Sequence, residues 1–227
     1  MTASTALQDE HARRLEQCLT AGGVAVFPVD TVYGLCCDPA NRRAVRRLYE
    51  LKGRPAGRPA AVMFFALALL LRALPELEPR ERVAVQALLP GPVTLLLPDR
   101  NRRYPLVCGP GESSPGESDP GENGPRESGA DLLGLRVPAW SPALAALETV
   151  DMPVLQSSAN LSGKPDARRL LDVPESIRAG ADLVLDGGEL PGVPSTVIDL
   201  REYARSRTWR VVRVGALPIR AVERALA

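Results

Sequence analysis

Basic side chains are concentrated in one short segment of this chain. The 227 residues include only two lysines, and one of them, Lys52, lies within residues 42–58, which carry seven basic side chains against one acidic side chain, Glu50. The formal net charge of the whole chain is only +1, so positive charge is focused here, as the binding of phosphates or a carboxylate requires. Lys52 and Arg54 could converge on one anion. The segment by itself, however, favours the alternative that its charged side chains are simply exposed to water.

Three further polar segments could contribute to a ligand site. The first, residues 28–35, follows a predicted buried strand, where open α/β sheets bind ligands, and presents a carboxylate, a hydroxyl and a phenol: Asp30, Thr31 and Tyr33. Residues 157–163 and 194–199 offer hydroxyls and an amide that could hold a phosphate or a carboxylate. Ordinary turns or strand entries, with polar side chains capping backbone groups, are the alternative for each segment.

The residue types exclude several kinds of chemistry. His11 is the only histidine, so Ser-His-Asp, Cys-His and multi-histidine metal sites are excluded unless His11 itself acts, and we expect it to be a solvated helix residue. The cysteines lack Cys-x-x-Cys spacing and are expected to be buried thiols: Cys18, Cys36, Cys37 and Cys108. The sequence has neither a P-loop nor a Gly-x-Gly-x-x-Gly segment after a strand. Positioning and electrostatics remain as the means of catalysis.

The elements that must position these segments alternate along the chain. Short apolar runs predict strands at residues 24–27, 60–65, 93–97, 132–137, 154–157, 183–185, 196–199 and 211–214. Helical spacing and capping residues predict helices at residues 6–20, after Asn41, and at residues 79–89, 142–148, 174–179 and 218–226. This order predicts a single α/β layered domain over residues 1–227, with a mainly buried sheet.

Residues 109–129 do not fit that pattern. They are almost entirely Gly, Pro, Ser, Glu, Asp and Asn, with Pro-Gly-Glu recurring, and this composition predicts a flexible surface loop. An inert insertion is the preferred interpretation, and a functional lid is the alternative.

No apolar run approaches the ~20 residues that cross a bilayer. The N-terminus lacks the features of a secretion signal, so we expect a cytoplasmic protein.

Taken in order, the motifs of this chain resemble those of the YrdC-type family of threonylcarbamoyl-AMP synthases. The likeness extends from Ala21 to Ala216 outside the insertion, and the ordered set is far more specific than any one piece. The matching pieces are residues 23–28, 30–35, 51–55, 89–94, 135–138, 158–163, 194–197 and 212–215. The resemblance implies an open, twisted, mixed β-sheet flanked by helices, with a concave basic cleft, in the single-domain form of the family.

The resemblance also implies a nucleotidyltransferase reaction. L-threonine, bicarbonate and ATP would give threonylcarbamoyl-AMP (L-threonylcarbamoyladenylate), pyrophosphate and water, and a separate tRNA threonylcarbamoyl transferase complex would use the product in tRNA modification. Negative charge accumulates during such a reaction. Cationic side chains, with Mg²⁺ accompanying ATP, are therefore the expected catalysts, and a histidine base is not needed.

Matched positions give roles to individual residues. Lys52 and Arg54 would be catalytic, holding the nucleotide phosphates and the group derived from bicarbonate. The residues implied to bind threonine are Thr31, Arg136, Ser158 and Ser195, with Arg136 meeting the carboxylate in a bidentate pair. The residues implied to bind ATP are Lys52, Arg54, Arg58, Thr94, Asn160, Arg168 and Arg213. The resemblance assigns no metal ligand.

Three residues depart from the family pattern. Val29 replaces a common threonine, Arg58 replaces a frequent asparagine, and Met63 stands where many members have a histidine that contacts threonine.

A non-catalytic module of the same fold that binds double-stranded RNA or tRNA is the alternative function, because the arginines at residues 42–47 could supply a basic face. A carbamoyl-adenylate enzyme of the same superfamily is a second enzymatic alternative, although such proteins usually carry further fused domains.

Overall fold

A mixed β-sheet forms the centre of the molecule. The computed structural model describes residues 6–55, 60–107 and 132–227, and within these ranges the sheet has nine strands in the order β7-β1-β2-β6-β3-β5-β4-β8-β9. The strands are β1 Val24–Pro28, β2 Tyr33–Cys37, β3 Ala61–Met63, β4 Val93–Pro98, β5 Leu132–Arg136, β6 Val154–Ser158, β7 Leu183–Val184, β8 Thr196–Asp199 and β9 Arg210–Arg213. The pairs β1/β7, β3/β5 and β4/β8 are parallel and the others are antiparallel, so the predicted mixed sheet is confirmed.

Helices pack beside this sheet. They are α1 Asp9–Thr20, α2 Arg42–Lys52, α3 Leu67–Ala73, α4 Pro79–Leu88, α5 Glu175–Gly180, α6 Tyr203–Ser206 and α7 Ile219–Leu226, with short 3-10 turns at Ala145–Thr149 and Leu170–Asp172. Helix α1 lies against β1, α2 lies against β1 and β2, and α4 contacts α6 and α7. The helices therefore cover apolar surfaces that the strands would otherwise expose to water.

Helix α2 shows how local sequence places a site residue. Asn41 caps its start, because the side-chain oxygen accepts a hydrogen bond from the backbone N–H of Ala44 at 3.1 Å. Val45 and Leu48 lie on its buried face. Gly53 ends the helix at a φ of 58°, a left-handed conformation that glycine adopts without a Cβ clash. The chain consequently leaves the helix directly after Lys52.

The core is continuous from strand to strand. Every residue of β1 and β2 is buried, which explains why β1 appears in the sequence as an uninterrupted apolar run. Aromatic side chains extend the core at one end: the rings of Phe65 and Trp140 stack with centroids 5.8 Å apart, and Trp140 Nε1 donates to the carbonyl oxygen of Phe65 at 2.8 Å. This half-buried indole satisfies its N–H while contributing apolar area to the core.

Two sequence predictions about secondary structure are wrong, and two helices were not predicted. Tyr33–Cys37 is the strand β2, paired antiparallel with β1 across the short connection Val29–Val32, rather than part of a polar turn. Residues 142–148, predicted to be a helix, contain four of the five residues of the 3-10 turn Ala145–Thr149 and no α-helix. Helices α3 and α6 were missed because they are short, and the apolar run of α3 has no polar face to reveal a helical period.

The histidine and the cysteines take structural positions. His11 lies in the first turn of α1, where its Nδ1 accepts a hydrogen bond from the backbone N–H of Gln8 at 3.0 Å. It therefore caps a helix start and is not merely solvated. Cys36 and Cys37 are buried, as predicted, and Cys18 is half-buried. Cys108 and the predicted loop at residues 109–129 lie outside the described residues.

Among the residues that the structure describes, no helix is long and apolar enough to span a membrane.

Candidate functional site

A cleft of about 260 Å³ opens on one face of the sheet. Side chains alternate between the two faces of a strand, and alternate residues of β5, namely Leu132, Gly134 and Arg136, line the cleft. Small residues form its floor: Ala61 of β3 lies in register with Gly134, and both line the cleft. The polar residues that line it are Arg54, Thr94, Arg136, Gln156, Ser157, Ser158, Asp166, Ser195 and Arg213.

Arg136 occupies one wall of this cleft and is almost completely buried. Its Nη2 donates to Oδ1 of Asp30 at 2.7 Å and to the hydroxyl of Thr31 at 3.2 Å. The Nε atom is buried, and the described residues offer it no hydrogen-bond partner. Desolvation lowers the pKa of Arg136, although the charge of Asp30 opposes that shift. A buried guanidinium with an unpaired N–H is suited to an anionic ligand, because a carboxylate could accept that hydrogen bond.

Asp30 supports Arg136 from outside the cleft. Its Oδ2 accepts a hydrogen bond from the backbone N–H of Ala139 at 3.2 Å, and its side chain is only 5% exposed. Burial raises the pKa of this carboxyl, while Arg136 acts in the opposite direction. Asp30 thus joins the β1–β2 turn to the segment that follows β5.

Hydroxyl groups lie near a second arginine at another part of the cleft. The side-chain oxygens of Thr94 and Ser195 are 2.9 Å apart and share a hydrogen bond. Arg213 Nη2 donates to the carbonyl oxygen of Ser195 at 2.8 Å and lies 3.3 Å from its hydroxyl. Register explains this cluster: Thr94 of β4 pairs with Val197 of β8, which in turn pairs with Arg213 of β9.

Lys52 lies beneath the turn that follows β6. Its ammonium group donates to the carbonyl oxygens of Ser158 at 2.6 Å and Asn160 at 2.9 Å, and to Oδ1 of Asn160 at 2.5 Å. Only 3% of Lys52 is exposed, and it is not among the residues lining the cleft, whereas Ser158 is. Burial lowers the pKa of Lys52 to about 8, and the nearby charge of Arg54 contributes to this shift.

The remaining predicted ATP residues have different positions. Arg54 lines the cleft, and its guanidinium lies 5.9 Å from the centre of the Tyr49 ring. Asn160 is buried beside Lys52, outside the cleft lining. Arg168 also lies outside that lining, because its Nε donates to the carbonyl oxygen of Leu190 and its Nη2 pairs with Glu189. Arg58 is outside the described residues. The structure thus brings together most of the predicted residues, but not Arg168.

Tyr33 does not belong to the ligand-facing group that the sequence suggested. Its hydroxyl donates to Oδ1 of Asp186 at 2.8 Å, lies 2.8 Å from the carbonyl oxygen of Gly188, and accepts from the backbone N–H of Gly187 at 3.1 Å. Burial, followed by the hydrogen bond to Asp186, raises the pKa of this phenol. The prediction that Asp30, Thr31 and Tyr33 face one ligand together is therefore wrong for Tyr33, which fastens a neighbouring loop, and for Asp30, which is not among the residues lining the cleft.

The sequence did not predict two of the polar residues that line the cleft. Gln156 lies within β6, in register with Ala61, and is 4% exposed. A glutamine between Leu155 and Ser157 is an unusual choice for a buried strand and could have marked a functional face. Asp166 carries the sole carboxylate among the described lining residues. Its neighbours Arg54, Arg136 and Arg213 give the described lining a net positive charge.

Two of the departures from the family pattern are fully buried. Val29 packs close to Gly34, where its Cγ2 lies 3.0 Å from the position that a glycine Cβ would take. Met63 of β3 pairs with Arg136 of β5 and is 0% exposed. Neither residue lines the cleft in the described part of the chain.

The fold and the site together define an α/β domain whose mixed sheet carries a polar, arginine-lined cleft on one face. A family model for Sua5, YciO and YrdC proteins, described as telomere recombination, matches residues 17–215. The chain therefore belongs to this family, and the resemblance that its ordered motifs predicted is confirmed.

Individual relatives are similar over most of the chain. A threonylcarbamoyl-AMP synthase of Pyrococcus abyssi is 32% identical over 209 residues, which are 90% of this chain and 54% of the relative. One from Nitrosococcus oceani is 30% identical and covers 83% of this chain and 92% of its own length. The crystal structure of P. abyssi Sua5 complexed with L-threonine matches with a TM-score of 0.74 and 30% identity, covering 96% of this chain and 58% of that chain. This chain thus spans little more than half of the Pyrococcus protein.

Proposed function

We propose that this chain is an L-threonylcarbamoyladenylate synthase, which converts L-threonine, bicarbonate and ATP into threonylcarbamoyl-AMP, pyrophosphate and water. The single observation that carries the proposal is the buried guanidinium of Arg136, which lines the cleft and whose Nε has no hydrogen-bond partner among the described residues. Relatives at about 30% identity are named for this activity, and one was solved with L-threonine. These similarities favour the synthase over the alternative of a non-catalytic RNA-binding module.

Arg136 is the proposed site of the threonine carboxylate, and the hydroxyl of Thr31, which is not among the residues lining the cleft, accepts a hydrogen bond from its Nη2. A carboxylate that reaches Arg136 gains a charge-assisted hydrogen bond in a place from which water is largely excluded, so the interaction is stronger than at a surface. Ser158 and Ser195 supply hydroxyl groups at two other sides of the same cleft. This arrangement holds the amine of threonine inside the cleft, where it captures carbon dioxide with loss of a proton, or bicarbonate with loss of water, to give a carbamate.

The phosphates of ATP would lie near Arg54 and Arg213, which line the cleft. The carbamate oxygen attacks the α-phosphorus, a new P–O bond forms, and pyrophosphate leaves with the electrons of the broken P–O bond. Fixed guanidinium groups stabilise the charge that develops on the phosphate oxygens without reorganising during the reaction. Lys52 adds positive charge from beneath and fixes the Ser158 turn, and Thr94 supports Ser195.

Mg²⁺ would enter with ATP as part of the substrate. Among the described residues, no group of three or more His, Cys, Asp or Glu side chains could hold a metal ion. Asp166 is the lining carboxylate available to such an ion. One carboxylate together with substrate phosphates is a common arrangement for Mg²⁺, so this donor set fits an ion carried by the nucleotide. A separate tRNA threonylcarbamoyl transferase complex is the proposed consumer of the adenylate.

The test is a product assay with the purified chain. Incubation with ATP, Mg²⁺, L-threonine and labelled bicarbonate should release pyrophosphate and transfer the label to a threonylcarbamoyl-adenylate, and omission of threonine should abolish both signals. Turnover without threonine, or no turnover, would contradict the proposal. In an inactive protein, tRNA binding that weakens steeply with salt would support the RNA-binding alternative instead.

A further inference from the structure

The strongest unassigned feature of the molecule is the carboxylate of Asp30. This side chain does not line the cleft, yet it holds Arg136, which does. The two residues are 106 positions apart in the chain, and both side chains are only 5% exposed. Asp30 therefore acts on any ligand indirectly, through Arg136 and the neighbouring Thr31.

The contacts of Asp30 restrict the guanidinium on one side. Oδ1 accepts from Nη2 of Arg136 at 2.7 Å, and Oδ2 accepts from the backbone N–H of Ala139 at 3.2 Å. The backbone N–H of Ala139 thus holds the carboxylate in place independently of its contact with the arginine. Thr31 adds an acceptor 3.2 Å from the same Nη2, so the described contacts of Arg136 converge on that one nitrogen and leave Nε unpaired.

We propose that Asp30 is a positioning residue for recognition of the threonine carboxylate, which balances the buried charge of Arg136 and keeps its guanidinium oriented with the Nε–H free for the ligand. This inference rests on the proposed function, because it takes threonine as the ligand of Arg136. A buried cation without a counter-ion is costly, and a guanidinium without a fixed partner can rotate about its side-chain bonds. Asp30 removes both problems without occupying any of the cleft.

The chain offers a matched control in Asp199. This carboxylate is also 5% exposed and also holds arginines, since Arg201 Nη2 lies 2.7 Å and Arg210 Nε lies 2.8 Å from its Oδ2. Asp199 lies at the β8–β9 edge of the sheet and is not among the residues lining the cleft. Replacing each aspartate by asparagine therefore removes a buried counter-ion of arginine in both cases, but only Asp30→Asn affects an arginine of the cleft.

The experiment measures the Kd of L-threonine by calorimetry, and the KM of ATP and kcat by the product assay, for the wild type and both variants. Asp30→Asn should raise the threonine Kd at least about tenfold, which corresponds to about 1.4 kcal/mol, and leave the KM of ATP within about twofold. Asp199→Asn should leave the threonine Kd unchanged. Asp30→Glu, which keeps the charge, should recover part of the lost affinity. L-threonine methyl ester, which lacks the carboxylate, should bind the wild type and Asp30→Asn equally weakly.

Each contrary result has a separate meaning. If Asp30→Asn binds threonine as well as the wild type, the positioning role is overturned while the proposed function stands. If the wild type binds no threonine and makes no adenylate, the proposed function itself fails, and this inference fails with it. If Asp30→Asn does not fold, Asp30→Glu decides: an affinity loss for threonine but not for its methyl ester supports the proposal, and an equal loss for both ligands overturns it.

Discussion

The ammonium group of Lys52 lies 2.5 Å from Oδ1 of Asn160 and 2.9 Å from the carbonyl oxygen of the same residue. A lysine at the last position of α2 thereby fastens the turn after β6, more than a hundred residues further along the chain. The backbone N–H of Ser162 also donates to the carbonyl oxygen of Lys52 at 2.9 Å. Lys52 therefore has a structural role in the cleft as well as its proposed electrostatic role.

Replacement of Lys52 by alanine should reduce both activity and stability. The carbonyl oxygens of Ser158 and Asn160 lose their donor, which costs about 1–3 kcal/mol of unfolding free energy for a buried unsatisfied group. Loss of the cation should also lower threonine-dependent adenylate formation about 100-fold. Urea unfolding and the product assay measure the two effects. The other lysine, Lys164, is exposed and provides the control, since Lys164→Ala should change neither quantity. Wild-type turnover by Lys52→Ala would reject the electrostatic role.

Stability of the wild type should increase with pH relative to a Lys52→Met variant. Burial lowers the pKa of Lys52 to about 8 in the folded protein, whereas an unfolded lysine titrates near 10.5. Between about pH 8 and pH 10.5 the unfolded chain therefore binds more protons, and the unfolding free energy of the wild type rises with pH. The same contribution is lost as pH falls through 8, where the folded protein must bury a charged ammonium.

The comparison with Lys52→Met isolates this effect, because tyrosines and cysteines titrate in both proteins. Guanidinium unfolding at pH 7, 8, 9 and 10 should show the wild type gaining about 1–3 kcal/mol on the variant across that range. A difference that stays constant with pH would mean that the pKa of Lys52 is not lowered in the folded protein.

Loss of the Ser195 hydroxyl should affect the cleft locally. Ser195→Ala removes the hydrogen bond that this hydroxyl shares with Thr94 and the contact with Arg213 Nη2 at 3.3 Å, while the backbone carbonyl that also holds Arg213 remains. We expect the KM of threonine to rise about tenfold with little change in melting temperature, because one neutral hydrogen bond contributes about 0.5–1.5 kcal/mol. Ser206→Ala alters an exposed serine outside the cleft and serves as the control. A large fall in melting temperature for Ser195→Ala would instead indicate a structural role.

Much of the fold could be predicted because strands such as β1 are buried on both faces, whereas the edge strand β9 is largely exposed. The apolar runs at β1, β4 and β8 stand out in the sequence for this reason. Strand β2 did not, because Tyr33, Gly34 and two cysteines follow a polar turn directly, and only pairing with β1 and β6 makes them a strand. Local sequence does not contain that information.

The sequence could predict which residues belong to the site, but not the contacts between them or their burial. Matched motifs assigned Arg136 and Thr31 to one ligand, whereas the Asp30–Arg136 pair joins segments 106 residues apart and depends on the sheet order. The burial of Lys52 was equally hidden, because lysine is normally exposed. Gln156 was missed since its position on the cleft face follows from strand register.

Gly134 offers a test of whether the cleft floor must stay open. A Cβ at this position would meet Leu96, Ala61 and Thr94 at 3.5–3.6 Å, which is ordinary van der Waals contact. Gly134→Ala should therefore fold with a melting temperature near that of the wild type, yet place a methyl group in the cleft. We expect weaker binding of ATP or threonine, by about tenfold in at least one KM, because a methyl group displaces ligand atoms from a close-packed floor.

The control for the floor is Gly34→Ala, on a different strand. There the added Cβ would lie only 3.0 Å from Gln156, which lines the cleft, and from Phe27 and Val29, so this variant should lose stability, and its lower melting temperature distinguishes it from Gly134→Ala. Differential scanning calorimetry and the product assay, applied to both variants, separate the two cases. If Gly134→Ala instead kept both KM values and the wild-type melting temperature, the ligands would not contact the floor between Ala61 and Leu96. The proposed binding site would then be confined to the arginine-lined walls of the cleft.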